Sequence, residues 1–102
     1  MTIPTQRVLR ALLDDPDTER YGYELGELAD LRTGTVHPIL ARLEGLGWLQ
    51  SRWEDIDPQT EGRPARRYYR LTAEGAQAAQ SALARAYRPS PARALRPQVG
   101  EA

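Results

Sequence analysis

Cysteine, phenylalanine and lysine are missing from this chain, and methionine and histidine each occur once. Without cysteine there can be no disulfide and no thiolate metal site. Without phenylalanine the interior has to be assembled from Leu, Val, Ile, Ala and a few Trp and Tyr side chains. Because lysine is absent, all 14 cationic residues are arginines, and each offers a planar fork suited to phosphate or to a guanine edge. No apolar run approaches the roughly 20 residues that cross a bilayer. The first residues, Met1-Thr2-Ile3-Pro4-Thr5-Gln6-Arg7, lack the basic-then-apolar order of a secretion signal. A cytoplasmic protein with no membrane segment is expected.

Catalysis is also poorly supplied. His37 has no second histidine or cysteine with which to hold a metal, and no nucleophile–base arrangement or glycine-rich phosphate loop can be argued from spacing. We therefore expect neither a cofactor nor an enzyme. At 102 residues the chain has room for one modest core, which makes burial against a second subunit an attractive source of stability.

The formal charge sums to zero, but its distribution is polarised. Positions 14–30 hold Asp14, Asp15, Asp17, Glu19, Glu24, Glu27 and Asp30 against a lone Arg20. Positions 62–71 hold Arg63, Arg66, Arg67 and Arg70 and no acid. Such a chain can turn a basic edge toward nucleic acid while its acidic side faces water.

Apolar periodicity divides the chain into elements. Val8, Leu9, Leu12 and Leu13 mark one face of a helix over 5–13, stopped by Asp14-Asp15-Pro16-Asp17. A short second helix follows Tyr21-Gly22-Tyr23, with Leu25, Leu28 and Ala29 at helical spacing. In the third, Val36, Ile39, Leu40, Leu43 and Leu46 form the stripe, Thr33 or Thr35 is the expected cap, and Gly47 sits where a left-handed terminator belongs. Its opposite face carries Gly34, Pro38, Ala41 and Gly45, flanked by Thr35 and Arg42 on one side and His37 on the other.

Two strands are expected next, over 48–54 and 66–71, joined by a loop over 55–64, with Trp48, Trp53, Tyr68 and Tyr69 packing the hairpin. A fourth helix begins after Thr72 as N-cap, and a Pro-rich tail closes the chain. The order predicts an α+β, mainly α, winged helix-turn-helix: three helices, a two-stranded wing and a C-terminal dimerisation helix. Residues 1–71 form the DNA-binding domain, 72–88 the dimerisation helix and 89–102 a disordered tail. Thr33, Thr35, His37, Pro38 and Arg42 are the candidates for groove contacts with double-stranded DNA, and Arg63, Arg66 and Arg67 for the backbone. Fold alone does not decide function, so a winged helix that docks on another protein is the alternative.

Three stretches also carry a family resemblance. They are Tyr21-Gly22-Tyr23-Glu24-Leu25, then Gly34-Thr35-Val36-His37-Pro38-Ile39-Leu40-Ala41-Arg42-Leu43-Glu44 with Gly47-Trp48-Leu49, and Gly62-Arg63-Pro64-Ala65-Arg66-Arg67-Tyr68-Tyr69-Arg70-Leu71-Thr72-Ala73-Glu74-Gly75. In this order they resemble the recognition-helix and wing signatures of PadR regulators. The resemblance implies a transcriptional repressor that is a homodimer through its first and last helices, released in many members by small aromatic compounds. His37 stands where the family usually has a tyrosine expected to touch the DNA backbone. After Thr72 the sequence offers one helix where longer members carry a larger dimerisation domain. Val8 and Leu12 in the first helix, with Ala76, Ala79, Leu83 and Tyr87 in the last, are the expected dimer contacts.

Overall fold

A computed structural model describes residues 1–87; the expected disordered tail lies outside the described residues, as does the Tyr87 side chain. The chain runs α1 (Ile3–Asp14), β1 (Arg20–Tyr21), α2 (Gly22–Ala29), α3 (Thr33–Gly45), β2 (Leu49–Trp53), α4 (Pro58–Glu61), β3 (Arg67–Leu71) and α5 (Ala73–Tyr87). This is a winged helix-turn-helix.

Helix α1 starts earlier than its apolar spacing predicts. Thr2 caps it by accepting from the Thr5 amide at 3.3 Å, and Pro4 occupies the first turn, where a missing N–H costs nothing. The turn from α2 to α3 is made by Asp30 in the left-handed region (φ 58°), with the Leu31 amide donating to Gly26 O at 2.8 Å. Helix α3 is not capped as expected. Thr33 and Thr35 are already inside it, and Arg32 is the N-cap with no side-chain bond. The Arg32 carbonyl accepts from the amides of Thr35 and Val36, so the first turn closes on backbone alone. Its far end does follow expectation. Gly47 has φ 81°, its amide donates to Glu44 O and that of Trp48 to Leu43 O, the paired bonds of a Schellman terminator.

The sheet has three strands in the order β1-β3-β2, both pairings antiparallel. The two-stranded wing is thus extended by β1, whose two residues leave no alternation to read. Leu49 faces Leu71 at the core end of the hairpin and Trp53 faces Arg67 at the outer end. The expected loop contains the single turn α4, where Asp57 accepts from the Gln59 amide at 3.1 Å and from the Thr60 hydroxyl at 2.9 Å. Thr72 caps α5 as expected, accepting from the Gly75 amide at 2.9 Å.

One core joins the helices to the inner ends of the strands, with Leu9, Leu25 and Leu40 at its centre. Two expectations fail here. Leu28, Leu46 and Trp53 are 54%, 60% and 61% exposed: α2 turns Gly22, Leu25, Gly26 and Ala29 inward, Leu46 is the C-cap of α3 just past its buried stripe, and β2 outruns the core before Trp53. More consequentially, Val8, Leu12, Ala79 and Leu83 are all buried within the one chain, with Ala76 half-buried against them. α1 and α5 pack on each other and close that apolar face, so these residues are core and not a surface offered to a second subunit.

Candidate nucleic-acid interface

Helix α3 turns Val36, Ile39, Leu40 and Leu43 inward, which leaves Thr33, Gly34, Thr35, His37, Pro38 and Ala41 exposed on one outer surface. Pro38 lies in the second turn and has no N–H, so the Gly34 carbonyl lacks its usual donor four residues on. The surface is small and rich in hydrogen-bonding groups.

His37 is exposed, yet its ring is seated. A Cβ at Gly22 would come within 2.6 Å of His37 Cε1, so the imidazole rests on the first residue of α2 at a place only glycine leaves open. The ring forms one wall of a cleft of about 400 Å³ that also includes Tyr21, Tyr23, Trp53, Arg66 and Arg67. Recognition helix and wing therefore meet across a basic, aromatic-lined hollow.

Each wing arginine has a partner in the chain. Arg66 stacks on Tyr21, 4.4 Å from the ring centroid, and Arg67 on Trp53 at 5.1 Å. Arg67 also reaches Glu44 of α3 at 3.7 Å. Arg63 makes a two-pronged contact with Glu54, at 2.7 and 3.0 Å, and Glu54 accepts from the Arg66 amide as well. The three arginines expected together at the DNA backbone thus differ in their surroundings. Arg63 closes the wing loop just beyond the outer end of the hairpin, whereas Arg66 and Arg67 each keep a guanidinium on the cleft. Arg42 also has a contact, its Nη2 donating to Thr5 Oγ1 of α1 at 3.1 Å, although the residue is exposed.

Several contributors carry no separate signal in the sequence. Glu54 is one of 14 acids, and only the hairpin register brings it to Arg63. Glu19 binds Arg52 through both oxygens at 2.7 Å, across a separation that spacing does not reveal. Glu44 sits inside a motif read for its helix, and Tyr21 joins the cleft through β1.

The hydrogen bond from Arg63, aided by the Arg66 amide, holds the Glu54 carboxyl at about 2, down from 4.5. Because the folded value is depressed, the stabilisation from this latch is complete above the unfolded value near 4.5 and is lost as pH falls through about 2. In an acid titration followed by Trp fluorescence, Glu54→Gln should therefore be less stable than wild type above that window and indistinguishable below it. A constant difference across the window would assign the latch to shape rather than charge.

The model of the Transcriptional regulator PadR-like family matches residues 8–81. Among solved structures, a PadR family transcriptional regulator from Eggerthella lenta is similar at 27% identity and a TM-score of 0.64, over 97% of this chain and 83% of that one. Bacillus subtilis PadR in complex with operator DNA matches at 18% identity and a TM-score of 0.66, over 88% of this chain. The PcaV transcriptional regulator of Streptomyces coelicolor, in complex with its natural ligand, matches at 30% identity and 0.59, over 78% of this chain. This chain spans about half the length of the last two, 51% of each. No curated protein matches. Among the described residues no helix is long and apolar enough to cross a membrane.

Proposed function

This chain belongs to the PadR-like family of transcriptional regulators, and from that membership we propose that it is a cytoplasmic repressor that binds an inverted-repeat operator as a homodimer. α3 enters the major groove through Thr33, Thr35, His37 and Pro38, and the wing lays Arg66 and Arg67 along the backbone. The observation that carries this reading is that His37, on the outer face of α3, and the two stacked guanidiniums of the wing border one cleft.

Two recognition helices about 34 Å apart read both halves of a palindrome, and one alone covers only a few base pairs. Since α1 and α5 already spend their apolar faces on each other, the subunit contact falls on their outward sides, where Ile3, Arg7, Gln80 and Ala84 are exposed. Substitutions at Leu83, being core changes, would confound unfolding with dissociation.

Selection from a randomised duplex pool, with sedimentation of the complex, tests the proposal. An enriched inverted repeat bound by two chains is the expected result, and Arg42→Ala should then cost about 1–3 kcal/mol on that repeat and less on random DNA. Equal losses would place Arg42 on phosphates or at its Thr5 contact. No duplex binding at low salt would favour the protein-docking alternative.

A further inference from the structure

Glu44 is a carboxylate out of place by local rules. It lies in the last turn of α3, where the helix dipole disfavours negative charge, and it sits on the side of the recognition helix that faces the wing. Two wing strands meet it there: the Ser51 hydroxyl of β2 donates to Glu44 Oε2, and Arg67 of β3 approaches the same oxygen at 3.7 Å. Both charged side chains are about one-third exposed, 36% for Arg67 and 35% for Glu44. The contact is therefore open to solvent and to any anion that arrives. The Arg67 guanidinium also lies over the Trp53 ring, 5.1 Å from its centroid, a contact that holds it without neutralising it.

We propose that Glu44 is a stand-in for a DNA phosphate. In the free protein its carboxylate balances Arg67 and keeps the guanidinium aimed across the gap between recognition helix and wing, and a backbone phosphate takes its place when DNA binds. Glu44 is then a positioning residue that acts on DNA through Arg67. The inference rests on the DNA-binding reading above and adds to it an internal competitor.

The competitor sets affinity. Breaking the pair opposes binding by whatever the pair contributes, and exposed pairs of this kind are worth at most about a factor of five in an equilibrium. Removing the charge while keeping an acceptor for Ser51 should return that factor. Glu44→Gln does this with little change of shape.

The test is fluorescence anisotropy with a labelled random duplex of about 30 base pairs, long enough for two half-sites one turn apart. It compares wild type, Glu44→Gln, Arg67→Ala and the double variant. Glu44→Gln is expected to bind about 3–5-fold more tightly than wild type, and the same substitution in the Arg67→Ala background is expected to change nothing. Glu44→Ser, neutral but shorter, gives the same comparison from a different shape. Tightening of equal size with and without Arg67 would make Glu44 a bare repulsive charge and overturn the proposal, as would unchanged or weaker binding by the neutral variants. A wild-type protein that binds no duplex would overturn the DNA-binding reading itself, a result distinct from either.

Discussion

Replacing Arg66 and Arg67 together by alanine is expected to weaken binding to every duplex to a similar extent, by roughly 10–100-fold near 0.1 M salt. The log–log salt slope of the dimer should flatten by up to ~3.6 units, about 0.9 for each of the four phosphates no longer neutralised. Arg63→Ala should behave differently. Its guanidinium is held by Glu54 at 2.7 and 3.0 Å, so its removal loosens the wing while leaving the slope close to wild type. The measurement is a binding isotherm at several salt concentrations, on an enriched and on a random duplex. An unaltered slope in the double variant would remove the wing from the interface, and equal slope changes for Arg63 and Arg67 would mean that Arg63 abandons Glu54 on DNA.

Gly75→Ala should produce the largest loss of stability. A Cβ at Gly75 would collide with the carbonyl oxygen, carbonyl carbon and Cα of Trp48. Backbone cannot rotate aside as a side chain can. The same junction is cross-tied: the Thr72 amide donates to Trp48 O at 2.9 Å and the Thr72 hydroxyl to Gly47 O at 2.9 Å. Relief therefore requires α5 to lift from the end of α3, with the burial of Ala79 and Leu83 at stake. A cost of about 3 kcal/mol or more is expected, a drop in melting temperature of roughly 12–24 °C for a domain of this size. A fall of only a few degrees would mean that α5 contributes little to the cooperative unit.

How much of this was legible beforehand depends on whether the determinant was local. Helix α3 was readable, Leu46 apart, because its stripe, its Pro38 and its Gly47 all act within a few residues of themselves. The Thr72 cap was readable for the same reason. Strand β1 was not, since two residues carry no period and Arg20 and Tyr21 become a strand only by pairing with Tyr69 and Tyr68. The wing arginines were found as a cluster, but their division into latch and contact depends on Glu54 and Glu44, which the hairpin register and the tertiary fold bring to them. The residues expected at a dimer contact on α1 and α5, Val8, Leu12, Ala79 and Leu83, are buried within the one chain, and the reason is instructive. An apolar face on each of two helices predicts that something covers it, and periodicity does not say whether the cover is the other helix of the same chain. Here it is.

The joint between Gly47, Trp48, Thr72 and Gly75 has a mechanical meaning beyond its stability. It is built from main-chain contacts and one short hydroxyl, so it contains no long side chain that could absorb a displacement by changing rotamer. α3 ends at that joint and α5 begins there. A displacement of the start of α5 is therefore met at the end of α3 by main chain and not by a side chain free to change rotamer, as at a stiff elbow. The end of α3 and the start of α5 are thus expected to hold their mutual position more tightly than helices joined only through side chains.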